Sequence, residues 1–295
     1  MDTKNPQILP ITGRTSDILK LLATRHRRKL FVTFFFVMAE NVIFLLYPVL
    51  AGIAINAMVN GETITAAMYG LMVLFIWFIG AVRRSIDTRT FARIYAGLAV
   101  SVILAQRSLK LNHSVIAARV TLSREFVNFF EIHLPMLVTS AISLFGATFM
   151  LLMIEVRAGI ICILILLFLM CFVPGYARKN EKLFRRVNNR LEKEVDYIHT
   201  ASPVALNRHY STLARLRIRL SDREAWGYLT TGGLISLLFS LTIIDLSLSG
   251  GIDAGHIYAV MTYMWMFAMS LDDAPQLLEQ FSQLRDIGKR MMIRE

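Results

Sequence analysis

Glu40 is the residue of this 295-residue sequence whose type and setting point most directly to chemistry. It lies about ten residues inside a long apolar stretch, which places it ~15 Å deep if the stretch is a membrane-spanning helix. An ionised carboxylate at that depth costs at least ~2.5 kcal/mol, so we expect Glu40 to face a cavity, meet a partner or carry a proton. Thr33, Glu40 and Tyr47 recur every seven residues, which predicts a polar stripe on one helix face.

Two interpretations of Glu40 stay open. In the functional one, the carboxylate contacts a cationic substrate or carries protons along a transport pathway. In the structural one, it is hydrogen-bonded between helices for packing alone, with Asn41 assisting on the neighbouring face.

A second polar set lies at the end of the chain's last apolar stretch. Tyr263, Met266, Ser270 and Asp273 follow one another at spacings of three and four, so they share a helix face. Asp273 lies near the end of that stretch, where its carboxylate could attract cations or pair with an arginine. The simpler interpretation is a carboxylate at water level beside the membrane.

Metal, disulfide and nucleotide chemistry find little support in the pattern. Four methionines between 261 and 269 would suit Cu(I), but flexible packing is their commoner role, and no Cys or His joins them. Cys162 and Cys171 lie in one apolar stretch and are expected to pack as small apolar residues. The fragment 250–255 has the glycine spacing of a Walker A loop, but the Lys and the Ser or Thr that must follow are missing. We expect no metal site, catalytic site or resident cofactor in this chain.

Six apolar stretches must position these side chains. The chain is 55% hydrophobic, and most of the stretches reach or approach the ~20 residues that a helix needs to cross a bilayer. The sequence therefore predicts an all-α membrane protein with the lipid bilayer as its main partner. The predicted spans are 30–57, 64–81, 134–154, 158–176, 228–248 and 257–271.

The basic residues orient these spans. Of the 32 Lys and Arg residues, 31 fall before the first span, between the second and third, between the fourth and fifth, or after the sixth. Cytoplasmic segments carry the Lys and Arg excess, which predicts a bacterial inner-membrane protein with both termini cytoplasmic. Residues 1–29 are then a cytoplasmic or interfacial segment, and 30–295 form the transmembrane domain. The asymmetry accounts for nearly all of the net charge of +11, so no nucleic-acid binding is expected. Arg83 and Arg84 are expected to anchor the second span at the membrane surface.

The connections between spans alternate in length. Those predicted to face outward are very short, at about 58–63, 155–157 and 249–256, whereas the two inward ones are long and rich in helix-forming residues. Ser202 before Pro203 is typical of a helix start, and it predicts a short helix over 203–210 with a new helix beginning near Ser211 or Thr212. In the first inward connection a break at 111–114 predicts a short segment over 115–120. Each inward connection is thus expected to be long helix, short crossing helix, long helix.

This alternation of short outward and long inward connections resembles the transmembrane domain of ABC exporters of the six-helix type. The resemblance covers about residues 20–295, and its best local piece runs from Gly251 through Gly255 to Tyr263, with Pro275 farther on. It implies six transmembrane helices with long cytoplasmic extensions, and a homodimer or a heterodimer with a related subunit. It also implies that short inward helices contact an ATPase. The candidate pathway residues are Glu40, Asn41, Tyr47, Tyr263, Met266, Ser270 and Asp273, and the candidate coupling residues are Val115, Ile116, Arg119, Pro203, Asn207 and Arg208.

Three functions stay open on the sequence. The first is the membrane subunit of an exporter driven by a separately encoded ABC ATPase, which would bind ATP and Mg²⁺ on the partner subunit. The second is a proton-driven transporter of the same fold with Glu40 as its proton carrier. The third is a membrane scaffold or regulator that does not transport. The substrate is undetermined, although aromatic and methionine residues suggest an amphipathic or apolar cargo.

Overall fold

The chain folds almost entirely into helices over the residues that the structure describes. The computed structural model describes 15–108, 120–121, 124, 127–192, 194, 198 and 201–291. This part of the chain holds six long helices and no strand, which confirms the predicted all-α class. The helices are α1 (Thr15–Val59), α2 (Thr63–Ser108), α3 (Leu134–Ile154), α4 (Val156–Glu192), α5 (Pro203–Ser249) and α6 (Ala254–Met291), and a π-helical turn (Phe129–His133) leads into α3.

Five of these helices, α1 to α5, are long and apolar enough to cross a membrane within the described residues. The sixth predicted span corresponds to α6, which is helical but is not one of the five. His256, Tyr258 and Tyr263 lower the mean hydropathy of its apolar half. That half is instead well packed inside the protein, because Val260 and Phe267 are fully buried there.

The short connections are confirmed as tight turns. Residues 60–62 join α1 to α2, and Gly61 adopts a φ of 77° there. Glu155 alone separates α3 from α4. Residues 250–253 join α5 to α6 through two glycines with positive φ. Positive φ is readily adopted only by glycine, so these turns depend on their sequence.

The predicted break after Tyr210 is wrong. Ser202 does cap a helix, and its hydroxyl accepts from the amide of Ala205 at 3.4 Å. That helix does not end at Tyr210, however, because α5 is continuous from Pro203 to Ser249. The segment holds neither Gly nor Pro near Ser211, and the Thr212 hydroxyl donates to the Arg208 carbonyl within the helix at 2.8 Å, so nothing there interrupts the backbone ladder. The short segment predicted at 115–120 lies outside the described residues apart from Val120, which is helical.

Two compact units divide the chain. The first comprises Met1–Ala147 with Ile252–Glu295, and in it α1 packs along both α2 and α6. The second comprises Thr148–Gly251, in which α4 packs along α5. Each unit has its own interhelical contacts, which are described separately below.

In the first unit, α1 and α6 meet backbone to backbone at Gly52 and Gly255. A Cβ atom on Gly52 would lie 2.5 Å from the Gly255 carbonyl oxygen, so only glycine fits. Next to this contact, the side chain of Asn56 accepts from the amide of Gly255 at 2.8 Å and satisfies a donor in the first turn of α6. Small residues permit such close crossings of membrane helices. The requirement for glycine at position 255 is therefore explained by helix packing.

In the second unit, Tyr176 and Arg223 tie α4 to α5. The Tyr176 hydroxyl donates to the Arg223 carbonyl at 2.7 Å, and Arg223 Nε donates to Asn180 Oδ1 at 2.8 Å. The guanidinium also lies over the Tyr176 ring, 5.4 Å from its centroid. Toward the other end of the pair, Arg157 forms an ion pair with Asp245. These contacts hold the two helices together at both ends of their apolar parts.

Replacing Gly52 with alanine is expected to lower the free energy of unfolding by about 1–3 kcal/mol, because the backbone of Gly255 cannot rotate away from the added methyl group. Chemical denaturation of the purified protein in detergent measures the change. Gly70→Ala in α2 is the matched control, since nothing lies within 4 Å of a Cβ there, and helix propensity predicts a gain in stability of about 0.5–1 kcal/mol. Equal effects of the two substitutions would contradict the close contact.

Gly227→Ala is expected to displace Tyr176, because the new Cβ atom would lie 2.9 Å from the tyrosine hydroxyl oxygen. The hydrogen bond to the Arg223 carbonyl is then lost, and amides of α4 and α5 around these residues should exchange hydrogen faster. Hydrogen–deuterium exchange read by mass spectrometry checks this. Gly232→Ala, in the same helix with open space around it, should leave exchange unchanged. Unchanged protection in Gly227→Ala would show that Tyr176 does not hold the pair together.

Candidate functional site

The polar stripe of α1 faces α2. The turn at 60–62 is so short that the two helices run antiparallel in one register, and each stripe residue meets a polar partner. At the end of the stripe away from the turn, the Thr33 hydroxyl lies close to the Asp87 carboxylate. The Glu40 carboxylate pairs with the Arg83 guanidinium. The stripe is therefore the α1 side of an interhelical seam.

Arg83 is the centre of this seam. Besides Glu40, it binds Asp87 on the next turn of α2, with Nη1 lying 3.3 Å from Oδ2. Gly80 makes room for the acid, because a Cβ atom there would lie 3.1 Å from Glu40 Oε1. The side chains of Arg83 and Glu40 are 20% and 27% exposed, so the pair is partly open and not sealed in the interior. An ion pair of this kind satisfies a carboxylate that would otherwise be costly within an apolar helix.

The ion pair lies about 30 Å along each helix from the turn that joins α1 to α2. Counting from Leu30 put Glu40 near mid-bilayer, but the apolar stretch of α1 is longer than a bilayer requires. Counted from the turn at the other end, Glu40 lies 19 residues before Val59 and Arg83 lies 20 residues after Thr63. Both distances are ~30 Å along the helix, which is the full hydrocarbon thickness. With the turn at one membrane surface, this distance would put both charges near the other surface.

A groove of about 370 Å³ opens beside the ion pair, between α2 and the π-helical turn that leads into α3. Asp87 is 5% exposed, and its Oδ1 atom has no hydrogen-bond partner among the described residues. Glu131 on the π-helical turn is close enough to Asp87 for their charges to interact. π-Helical turns often occur at functional sites. The groove is lined by Arg83, Arg84, Asp87, Thr88, Glu131, Ile132, Pro135, Met136 and Thr139.

Tyr47, the third residue of the stripe, joins an aromatic cluster near the turn end of the first unit. Its ring lies 5.8 Å from that of Tyr69 on α2, and its hydroxyl interacts with those of Tyr69 and Tyr258. Tyr258 belongs to α6, so the cluster connects three helices. Phe44 stacks on Tyr47 with ring centroids 6.5 Å apart. The cluster is separated from the ion pair by two turns of α1.

Tyr263 joins α6 to α1 close to a proline. Its hydroxyl donates to the Leu45 carbonyl at 2.6 Å, and its side chain is fully buried. Pro48 lies inside α1 and cannot donate a backbone hydrogen bond, and its ring weakens the ladder one turn before it. The carbonyl that loses its donor to Pro48 is that of Phe44, which directly precedes Leu45. Tyr263 therefore joins α6 to α1 at this weak point.

Other predicted pathway residues are satisfied within their own helices. Asn41 is buried and donates to the Val37 carbonyl at 2.7 Å. Ser270 is buried and donates to the carbonyl of Met266, which is half-buried. The side chain of Asp273 lies outside the described residues. The structure thus brings Glu40 and Tyr47 into polar clusters but does not gather the α6 set into one.

The coupling candidates are only partly described. Pro203, Asn207 and Arg208 lie in the first two turns of α5 and are exposed. Val115, Ile116 and Arg119 lie outside the described residues.

Arg83, Asp87 and Glu131 are the site residues that sequence analysis did not select. Arg83 was assigned to surface anchoring, and the two acids were passed over. One signal could have found Arg83 and Asp87. Glu40 lies about 20 positions before the three-residue turn, so it is expected to pair with residues about 20 positions after the turn. Glu131 had no such signal, because its place depends on how the π-helical turn packs against α2. No group of three metal-ligating side chains suited to an ion occurs in the described parts of the chain.

Comparison with known proteins agrees with the fold. No curated protein matches the chain significantly. Residues 19–255, about four fifths of the chain, match the family model of the ABC transporter transmembrane region. This match includes α1 to α5 and the first residues of α6, and it confirms the resemblance seen in the sequence. The chain belongs to the ABC transporter transmembrane family.

Proposed function

We propose that this protein is the membrane-spanning subunit of an exporter whose ATPase is a separate polypeptide. The observation that carries the proposal is the family match together with helices much longer than a bilayer. α2 has 46 residues and α5 has 47, so each extends ~69 Å or more, and about 40 Å of it lies beyond the hydrocarbon. Extensions of this length carry movement between an ATPase and the membrane. The basic residues cluster on these extensions, which supports a cytoplasmic location for them.

Two such subunits pair, either as identical copies or with a related chain, and enclose a cavity that opens alternately to the two sides. ATP binding closes the ATPases and biases this two-state arrangement through the inward helix tips. The exposed start of α5, with Asn207 and Arg208, supports a contact there. The connection that contains Val115, Ile116 and Arg119 supplies the second contact.

Glu40 acts in substrate selection under this proposal. The carboxylate lies at the interfacial level of the seam, beside a partly open groove, where cationic or zwitterionic groups arrive first. A proton-driven mechanism is less well supported, because protonation of Glu40 would break its ion pair with Arg83. The competing scaffold function has no specific observation in its favour.

Pull-down of the tagged protein in mild detergent from its native membranes is expected to recover an ABC-type ATPase in stoichiometric amount, identified by mass spectrometry. The physical reason is that helix tips ~40 Å from the membrane need a bound partner to be driven. Arg208→Glu is the test of the α5 contact and should reduce recovery of the ATPase. Arg219→Glu, also exposed on α5, is the matched control and should recover it fully. Recovery of this chain alone would contradict the proposal and favour a proton-driven or non-transporting protein.

Glu40→Gln is expected to leave ATP hydrolysis within about twofold of wild type and to lower the preference for a cationic over a neutral fluorescent amphiphile about tenfold. The variant should fold, because Arg83 keeps its contact with Asp87. Transport into vesicles reconstituted with the subunit and its ATPase measures both quantities. Glu62→Gln, an equivalent change at the exposed turn, should alter neither. Loss of all pH-driven transport in Glu40→Gln without any ATP dependence in wild type would establish the proton-driven alternative.

A further inference from the structure

The groove beside Arg83 has an ordered arrangement of charge along the membrane normal. α2 leaves its apolar stretch at Arg83 and Arg84, and Asp87 follows one turn later. The opposite wall runs the other way, from Glu131 on the π-helical turn to Met136 on α3, which enters its apolar stretch. The apolar wall, the guanidinium groups and the carboxylates therefore follow one another in that order away from the hydrocarbon.

Asp87 has a carboxylate oxygen that can accept a further donor. Its exposed fraction is only 5%, and Arg83 donates only to its Oδ2 atom. Its Oδ1 atom has no hydrogen-bond partner of normal geometry among the described residues, although the Thr33 hydroxyl lies close to the carboxylate, and the residue lines the groove. A buried, unpaired carboxylate oxygen costs free energy, and Glu131 nearby adds a second negative charge. A cationic donor in the groove would relieve both.

The groove also favours an anion, one turn nearer the hydrocarbon. Arg84 lines it and is exposed, at the level where α2 leaves the apolar stretch. Guanidinium groups bind phosphate well, and basic pockets between membrane helices bind lipid headgroups. The adjoining wall of Ile132, Pro135 and Met136 is apolar. The volume of about 370 Å³ is within the range of small-molecule sites and far larger than a single ion needs.

We propose that this groove binds the headgroup of a zwitterionic phospholipid that carries a primary ammonium group, from the leaflet at the level of Arg83. The ammonium donates to Asp87 Oδ1 and Glu131, the phosphate accepts from Arg84, and the start of an acyl chain lies against Met136. A quaternary ammonium headgroup lacks the N–H donors that Asp87 requires, and an anionic headgroup is repelled by the two carboxylates. The ammonium, phosphate and acyl chain of the lipid follow one another in the same order as the carboxylates, the guanidinium group and the apolar wall of the groove.

The inference does not depend on the energy source or on the cargo. Headgroup binding is a property of residues 83–88 and 131–139, whether or not an ATPase drives the protein. Its failure would leave the exporter proposal intact, and recovery of an ATPase would not establish the lipid site.

Lipid retention by the purified full chain, read by native mass spectrometry, tests the proposal. The probes are phosphatidylethanolamine, phosphatidylcholine and phosphatidylglycerol with the same acyl chains, each added at equal concentration. Wild type is expected to retain phosphatidylethanolamine about tenfold better than the other two. Glu131→Gln should lower that preference severalfold, and Arg84→Gln should lower retention of both zwitterionic lipids. Arg89→Gln, exposed on α2 and outside the groove, is the control and should behave as wild type.

Three results would overturn the assignment. Equal retention of phosphatidylethanolamine and phosphatidylcholine by wild type would exclude recognition of the N–H donors. Stronger retention of phosphatidylglycerol would show an anion site. Displacement of the lipid by free phosphoethanolamine at comparable concentration would show a site for a soluble zwitterion, because it would leave no role for the wall around Met136. Asp87→Asn should reproduce the Glu131→Gln effect, and thermal unfolding in detergent shows whether either variant is misfolded.

Discussion

The three-residue turn between α1 and α2 is the constraint on which the polar site depends. An apolar seam in a membrane protein tolerates a charge only where a partner lies at the same depth. Because the turn leaves no slack, Glu40 is brought opposite Gly80 and Arg83, and Thr33 opposite Asp87. A register shift of one residue would rotate Glu40 by ~100° away from its partner. The short turn and the ion pair therefore require each other.

A second set of contacts holds α6 against α1, and it involves backbone more than charge. Gly52 and Gly255 allow the two helices to touch, and Asn56 satisfies an amide at the start of α6. Tyr263 satisfies the carbonyl of Leu45 next to Pro48. Each contact supplies a hydrogen-bond partner or removes a steric obstacle at a point where an apolar helix could not do so alone. This explains how α6 packs closely despite its lower hydropathy.

The α4–α5 pair is stabilised in a different way, by polar contacts at its ends and apolar contacts between them. Tyr176, Arg223 and Asn180 form a network near one end, and Arg157 pairs with Asp245 near the other. The α4–α5 pair belongs to the second unit. The groove and the aromatic contacts of Tyr47 with Tyr69 and Phe44 belong to the first unit. The polar site thus belongs to one unit, and α5, the longest helix in the described residues, belongs to the other.

Hydrophobic periodicity and charge asymmetry by themselves determined the all-helical class, the positions of the apolar stretches and the short connections, since these depend on local composition. The seven-residue spacing of Thr33, Glu40 and Tyr47 also placed them correctly on one face. Local pattern could not decide what that face meets, because the partners lie 22 to 54 residues away and depend on register. It also misplaced a helix break after Tyr210, where the Ser202 cap was real but no residue interrupted the backbone ladder. The short turn only suggests that Arg83 meets Glu40, and the tertiary structure shows that Arg83 joins Glu40 to Asp87. Tertiary structure alone decided that Glu131 completes the groove, because its position depends on packing between helices.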